Sequence, residues 1–132
     1  MQGTEKPVLV LLVEDNQMNK ILVREILALN GYGILEADSG TAALKILSTQ
    51  KPDIILMDLH LPEMDGVTAT RIIKSDPSNR SIPVLALTAS AMKGEEDKIL
   101  SHGFDGYVAK PIEVKKLLAA IQANLGKKAE NA

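Results

Sequence analysis

The sequence contains no cysteine, so disulfide bonds, thiolate metal ligands and a cysteine nucleophile are all excluded. Aromatic residues are almost as scarce, because tryptophan is absent and the chain has only two tyrosines and one phenylalanine. Apolar residues nevertheless make up 45% of the 132 residues, enough for the core of one domain. That core must be built from leucine, isoleucine, valine, alanine and methionine.

Neither a strong net charge nor a long apolar run is present. The 15 basic residues nearly balance the 17 acidic ones, and a net charge of −2 argues against a dedicated nucleic-acid-binding protein. The early apolar run at residues 8–13 is too short to cross a bilayer. Glu14 and Asp15 follow it where a signal peptide needs small residues. We therefore expect an unprocessed cytoplasmic protein that binds neither membranes nor nucleic acid.

Short apolar runs alternate with stretches of helical spacing. Continuous apolar runs bounded by turn residues are typical of strands buried on both faces. The predicted strands are VLVLLV (8–13), GILEA (33–37), DIILM (53–57), IPVLALT (82–88) and GYVAK (106–110). The predicted helices span residues 17–30, 40–49, 65–75, 90–101 and 112–125. In the first helix, an i, i+4, i+8, i+11 spacing predicts a core-facing stripe of Met18, Leu22, Ile26 and Leu29.

This alternation predicts an α/β domain with helices on both faces of a parallel sheet. Right-handed crossovers restrict the topology. We expect a five-stranded sheet in the order 2-1-3-4-5, doubly wound with five helices. Such a sheet binds its ligand at the carboxyl ends of the strands, where strands 1 and 3 meet.

Charged and hydroxyl residues end four of the predicted strands. Strand 1 runs into Glu14 and Asp15, strand 3 into Asp58, strand 4 ends at Thr88 and strand 5 at Lys110. In the order 2-1-3-4-5, these residues converge on one edge of the sheet. Neighbouring strands lie about 4.8 Å apart, so strands 3 and 5 are roughly 10 Å apart. A long side chain such as that of Lys110 is needed to bridge that distance.

Carboxylates gathered in one cleft repel each other, so either one is protonated or a cation holds them together. An all-oxygen set favours a hard ion. Carboxylates with room for waters and a phosphate oxygen suit Mg²⁺ better than a full Ca²⁺ cage. A hydroxyl and an ammonium complete a phosphate site with a metal. Asp58 is the candidate nucleophile, because carboxylates form acyl phosphates.

The sequence resembles the response-regulator receiver domains of two-component signalling, which have a flavodoxin-like fold. The resemblance rests on the ordered stretches VLLVEDN (10–16), PDIILMDLHLPEMDG (52–66), IPVLALTA (82–89) and GYVAKPI (106–112). It covers about residues 8–125, which we expect to form the domain, with tails at 1–7 and 126–132. The stretch TASAMKGEEDKI (88–99) further resembles stand-alone receivers of the DivK cell-cycle type.

The resemblance implies that Asp58 accepts a phosphoryl group in a metal-dependent reaction. The donor is a phosphohistidine of a sensor histidine kinase or of a histidine phosphotransfer protein. The implied ion is Mg²⁺, with Mn²⁺ as an alternative. Its ligands are the side chains of Asp15 and Asp58, Glu14 through water, and the backbone carbonyl of His60.

The resemblance also implies how the phosphoryl group is held and sensed. Lys110 pairs with one phosphoryl oxygen, Thr88 hydrogen-bonds another, and the backbone amide of Ala89 donates as well. The peptide bond between Lys110 and Pro111 is cis in this family. On phosphorylation, Thr88 moves toward the phosphate and Tyr107 swings inward. The changed surface of helix 4, strand 5 and helix 5 then contacts a downstream protein.

Two further residues are implied to tune the lifetime of the phosphoryl group. His60 lies two residues after the acceptor, and Ser90 lies two residues after Thr88. The small side chain of Ser90 predicts a short to moderate lifetime. We expect a protein that is not a conventional enzyme but promotes its own phosphorylation and dephosphorylation. We expect it to be a monomer or a weak dimer.

Other interpretations remain open for single residues and for the whole chain. Asp58 alone fits a turn or helix cap, and Lys110 alone fits a solvated surface charge. A phosphohydrolase of the haloacid dehalogenase type also uses a strand-end aspartate, but it needs a second aspartate where His60 stands. A flavin or nucleotide binder is disfavoured, because the turn VEDNQ (13–17) lacks glycine and repels phosphate. An inert docking receiver would not need the full set of site residues.

Overall fold

Strands and helices alternate along the chain as predicted. A computed structural model of the protein describes residues 7–89 and 94–131. The strands are β1 (Leu9–Val13), β2 (Gly33–Ala37), β3 (Ile54–Asp58), β4 (Val84–Thr88) and β5 (Gly106–Ala109). The helices are α1 (Gln17–Leu29), α2 (Gly40–Leu47), α3 (Gly66–Ser75), α4 (Glu95–Ser101) and α5 (Val114–Asn131).

The strands form one parallel sheet whose order is β2-β1-β3-β4-β5, which confirms the predicted topology. In the register of this sheet, Val13 lies beside Met57 and Asp58 lies beside Leu87. The carboxyl ends of β1, β3 and β4 are therefore level with one another. Residues that end or follow these strands stand side by side at one edge.

Aliphatic side chains fill one layer on each face of the sheet. Because successive strand residues point to opposite faces, Val13 and Met57 join one layer while Leu12 and Leu56 join the other. Buried residues of α2 and α3 pack on the first layer, and those of α1 and α5 pack on the second. Every residue of β3 and β4 is buried, which explains their continuous apolar runs.

The predicted core stripe of α1 is correct at Ile26 and wrong at its other three residues. Met18 and Leu29 are 77% and 85% exposed, and Leu22 is also exposed. The buried residues of α1 are Ile26 together with Lys20, Val23 and Leu27. Both stripes have helical spacing, so the pattern alone could not choose between them. Lys20 occupies the core-facing stripe because its ammonium forms an ion pair with Asp38, just after β2.

Side-chain caps fix the starts of three helices. The side-chain oxygens of Asn16, Ser39 and Asp65 each accept a hydrogen bond from a backbone N–H three residues further along. Asp65 thereby sets Gly66 as the first residue of α3, directly after the loop that follows β3. The Asn16 cap holds the turn that carries the acidic pair at the end of β1.

Two helices differ from their predicted bounds by more than two residues. The structure begins α4 at Glu95, and residues 90–93, where the predicted helix begins, lie outside the described residues. α5 begins at Val114 and continues to Asn131, beyond the predicted end at residue 125. Within residues 7–89 and 94–131, no helix is both long and apolar enough to cross a membrane.

Candidate functional site

The structure brings the predicted strand-end residues to one edge of the sheet. Asp58 and Thr88 are the last residues of β3 and β4, and Lys110 directly follows β5. Glu14 directly follows β1, and its backbone N–H donates to the carbonyl of Ala37. This bond extends the pairing of β1 with β2 by one step and fixes where the acidic pair begins.

The carboxylates of Glu14, Asp15 and Asp58 form a compact cluster. One oxygen from each lies within 4.8 Å of the others. Glu14 is fully buried and Asp58 is 3% exposed, whereas Asp15 faces the solvent. Two oxygens bound to one Mg²⁺ at about 2.1 Å lie at most about 4.2 Å apart, so this spacing is close to that of oxygen ligands around one ion.

Lys110 bridges two of the three carboxylates. Its Nζ lies 3.2 Å from Oδ2 of Asp58 and 3.1 Å from Oε1 of Glu14. The second contact is an ion pair without hydrogen-bond geometry, since Oε1 of Glu14 has no hydrogen-bond partner among the residues that the structure describes. The Lys110 backbone N–H donates to the carbonyl of Thr88, and the Lys110–Pro111 peptide bond is cis. The predicted reach of the lysine across the sheet edge is thus confirmed.

Burial and the neighbouring Asp58 carboxylate raise the pKa of Glu14 above its ordinary value of 4.5. A backbone N–H from Asn16 and the ammonium of Lys110 act in the opposite direction. The balance leaves the pKa raised, so Glu14 keeps its proton to higher pH than an ordinary glutamate does. The raised pKa is consistent with both ways of reducing the repulsion, a proton on one carboxylate or a bound cation.

Both oxygens of Asp58 have defined partners. Oδ1 accepts a hydrogen bond from the backbone N–H of His60 at 3.1 Å, and Oδ2 contacts Lys110. The orientation of the carboxylate is therefore set from two sides. The bond from His60 is one that a turn cap makes, but the contact with Lys110 goes beyond that role.

The remaining predicted residues differ in how exposed they are. Thr88 is buried at the end of β4, and the exposed Ala89 follows it. His60 is exposed and lies in the loop after β3. Ser90 lies outside the described residues, so the structure gives no account of its predicted role.

Tyr107 on β5 reaches toward α4. Its hydroxyl donates a hydrogen bond of 2.5 Å to Oε1 of Glu96. This bond, together with burial, raises the pKa of Tyr107 above its ordinary value of 10.0. The ring is half-buried and packs against the core layer that α2 and α3 cover. The residue predicted to move is thus tied to α4 by a single polar contact at its tip.

Sequence reasoning missed three contributors to this region. Glu96 was part of a charged run with no visible partner, and Lys20 was hidden because the helix was assigned the wrong face. Gly66 was taken only as part of a helix start, yet a side chain there would collide with the backbone of Asp58. No local sequence pattern indicates these pairings, because each joins residues that come together only in the folded chain.

The chain is similar to known receivers over nearly its whole length. The response regulator receiver domain family matches residues 10–122. The polar-differentiation response regulator DivK of Brucella anthropi is 41% identical over 120 residues, which are 91% of this chain and 98% of that protein. DivK of Brucella ovis is 42% identical over 117 residues, which are 89% of this chain and 95% of that protein.

Solved structures agree with the sequence matches. The receiver domain of the sensor histidine kinase PA1611 from Pseudomonas aeruginosa superposes with a TM-score of 0.84 at 36% identity. The match covers 92% of this chain and 99% of that one, and that structure has a magnesium ion coordinated in its active-site cleft. The chain therefore belongs to the response regulator receiver domain family of two-component signalling, as its motifs predicted. Phosphorylation and Mg²⁺ binding are typical of this family.

The ion pairs of Lys110 lead to a prediction about metal-dependent stability. Replacing Lys110 by Met keeps the apolar stem but removes the ammonium that contacts Glu14 and Asp58. We expect the metal-free variant to lose about 1–3 kcal/mol of stability, since buried charge is left uncompensated. Mg²⁺ should then raise the Tm of Lys110→Met more than that of the wild type, because the metal replaces the missing cation.

The measurement is thermal unfolding at increasing Mg²⁺ concentration. Lys116→Met is the control, because this lysine is exposed on α5 and pairs only with Glu113 among the described contacts. The control should follow the wild type. An equal magnesium-induced rise in Tm for Lys110→Met and the wild type would contradict the electrostatic role of Lys110.

The Tyr107–Glu96 bond leads to a prediction about pH. A raised pKa means that the folded state favours the protonated phenol. The bond therefore contributes stability below the unfolded pKa, and this contribution is lost as pH rises through the folded pKa. Glu96→Gln removes the charge on the acceptor, so it should lower the pKa of Tyr107.

Ultraviolet titration in a Tyr32→Phe background measures this directly, because the chain has two tyrosines and Tyr107 is then alone. Glu95→Gln removes an adjacent charge from the same turn of α4 and serves as the control. It should shift the titration less than Glu96→Gln does. Identical titration curves for the two variants would show that Glu96 does not hold the hydroxyl.

Proposed function

We propose that Asp58 accepts a phosphoryl group from a phosphohistidine of a sensor histidine kinase or a histidine phosphotransfer protein. The observation that carries this proposal is the placement of Asp58. It ends a buried central strand, its Oδ2 lies 3.2 Å from Lys110, and two more carboxylates stand beside it. A carboxylate in this position can attack phosphorus, while an adjacent ion and ammonium stabilise the charge that develops.

The transfer needs few covalent events. An oxygen of Asp58 attacks the phosphorus, the P–N bond to the donor histidine breaks, and the imidazole leaves with the electron pair. Lys110 pairs with one oxygen of the transferred group. The hydroxyl of Thr88 and the backbone amide of Ala89 donate to others. Because phosphoryl transfer passes through a loose transition state, this positioning and charge stabilisation are the protein's main contribution.

The metal in this proposal is Mg²⁺, and Mn²⁺ suits the same oxygen donors. The side chains of Asp15 and Asp58 bind the ion directly, and the buried Glu14 acts through a water molecule. The backbone carbonyl of His60 completes the set of protein ligands. When bound, the ion offsets the repulsion between the carboxylates and the incoming phosphoryl oxygens. The magnesium in the cleft of the PA1611 receiver domain supports this choice of ion.

We also propose that the protein promotes its own phosphorylation and dephosphorylation and is otherwise not a conventional enzyme. Solvent reaches the site from the side of Asp15, which is exposed. His60 is also exposed and stands two residues after the acceptor, and we propose that it influences the attacking water. Because the residue two positions after Thr88 in the sequence is the small Ser90, we expect a short to moderate lifetime of the phosphoryl group.

The proposed output of phosphorylation is a change in protein–protein contacts. Phosphorylation adds about −1.5 to −2 charge units and three acceptor oxygens, toward which Thr88 can move. Tyr107 then leaves Glu96 and swings inward. Converting a 1:99 equilibrium to 99:1 requires about 5.5 kcal/mol, which several charge-assisted hydrogen bonds can supply. An open groove of about 460 Å³ beside Tyr107, lined in part by Lys116 and Ala119, lies on the face that would change.

We propose bounds for the receiver unit, a contact surface, a cellular location and a state of assembly. Residues 8–125 form the receiver unit, with short flanking segments at 1–7 and 126–132. The surface of α4, β5 and α5 contacts a downstream protein rather than nucleic acid or a membrane. The protein works in the cytoplasm as a monomer or weak dimer.

Acetyl phosphate, a small phosphoryl donor, tests the assignment of the acceptor. Intact-protein mass spectrometry should detect a covalent phosphoryl group on the wild type with Mg²⁺ and none after chelation of the metal. Asp58→Asn should abolish this product, because an amide is not a nucleophile of this kind. The matched control is Asp53→Asn, since this aspartate precedes β3 at its opposite end. Phosphorylation that survives Asp58→Asn unchanged would refute the proposal.

A further inference from the structure

The start of α3 presses against the backbone of Asp58. Gly66 is the first residue of this helix. A Cβ atom at Gly66 would lie 2.2 Å from the carbonyl oxygen of Asp58 and 3.0 Å from both the carbonyl carbon of Asp58 and the Cα of Leu59. All three atoms belong to the backbone. No change of side-chain rotamer can relieve such a contact.

The requirement for glycine here is one of space and not of backbone conformation. Among the described glycines, those with positive φ are Gly31, Gly94 and Gly103. Gly66 has the ordinary backbone of a first helical residue, which an alanine would adopt without strain. Real Cβ atoms do not come within 3.0 Å of such atoms, so the 2.2 Å contact would force a displacement of about 0.8 Å.

The carbonyl of Asp58 belongs to a segment that several backbone hydrogen bonds hold in place. The backbone N–H of Gly66 donates to the carbonyl of Leu59 at 3.1 Å, and the N–H of Leu59 donates to Leu87 on β4. The N–H of His60 donates to Oδ1 of Asp58 itself. A shift of the Asp58 carbonyl cannot be absorbed in a free loop. It passes to the carboxylate and to its contact with Lys110.

We propose that Gly66 is a positioning residue for phosphoryl transfer. Its missing side chain lets the first turn of α3 contact the backbone carbonyl of Asp58, and this contact sets where the carboxylate stands. The inference rests on the proposed function of Asp58 as phosphoryl acceptor. It assigns to Gly66 a role in the reaction that is separate from starting the helix, which Asp65 performs through its cap.

The chain offers a matched control at the start of another helix. Gly40 is the first residue of α2 and is also buried. A Cβ there would meet Sδ of Met64 at 3.1 Å, Cβ of Ala69 at 3.2 Å and the carbonyl oxygen of Met64 at 3.3 Å. These distances ask for shifts of a few tenths of an ångström, and the thioether is flexible. Gly40→Ala thus makes the same substitution at the same helical position without touching Asp58.

The experiment compares the wild type, Gly66→Ala and Gly40→Ala as full chains at a temperature where circular dichroism shows each to be folded. The first readout is the rate of phosphorylation by acetyl phosphate with saturating Mg²⁺. The second is the affinity for beryllofluoride, an analogue of the phosphoryl group. A misplacement near 1 Å can cost about 100-fold in rate, so we expect Gly66→Ala to lose about 10- to 100-fold in both readouts.

A second control separates the effect of lower protein stability from the effect of a displaced Asp58. Ile121→Val trims a fully buried side chain of α5, on the opposite face of the sheet from α3, and gives a destabilised reference. Gly40→Ala and Ile121→Val should both stay within about threefold of the wild-type rate, which corresponds to less than about 1 kcal/mol. If Gly66→Ala does not fold in buffer, it is refolded with an osmolyte such as trimethylamine oxide and compared with the wild type in the same solution.

Each outcome decides one question. A folded Gly66→Ala protein that is phosphorylated within about threefold of the wild-type rate overturns the role of Gly66. A loss of the same size in Ile121→Val would also overturn it, because the effect would then come from lower stability. Failure of the wild type to be phosphorylated would instead refute the function proposed for Asp58, independently of Gly66.

Discussion

Mutual repulsion among the carboxylates of Glu14, Asp15 and Asp58 is the constraint on which the rest of the structure depends. They meet within 4.8 Å, and two of them are buried, which is unfavourable unless the charge is offset. Lys110 offsets part of it, and the raised pKa of Glu14 means that this carboxyl keeps a proton to higher pH than an ordinary glutamate does. A divalent ion can replace that proton and make room for a further anion. A divalent metal therefore relieves the repulsion, and its charge also compensates the negative charge that a phosphoryl group adds.

The fold supplies this arrangement through the geometry of parallel strands. Two aliphatic layers bury the central strands on both faces and hold their ends level. The acids and the lysine then need no long loops to meet, since each ends or directly follows a strand. The β3–α3 loop is fixed by hydrogen bonds at Leu59 and His60 and by the close approach of Gly66. Rigid support of this kind suits a reaction in which positioning provides much of the rate.

The sequence was sufficient to predict the strand order and the meeting of acids, threonine and lysine, because alternation of short apolar runs restricts the topology and strand ends carry the chemistry. It could not select the buried face of α1, because two sets of residues have helical spacing. The set that is buried includes a charged residue, Lys20. It could not reveal the bond between Tyr107 and Glu96 or the contact of Gly66 with Asp58. These depend on how helices dock on the sheet, which no local pattern encodes.

Calorimetric titration of the wild type with Mg²⁺, in the presence and absence of beryllofluoride, tests the central claim most directly. If Asp58 carries the phosphoryl group beside a metal held by the same carboxylates, each ligand should tighten the other by at least about tenfold. The two enhancements must be equal, because coupling between two binding sites is reciprocal. Equal Mg²⁺ affinities with and without beryllofluoride would contradict the account. Beryllofluoride binding that needs no divalent ion would contradict it as well.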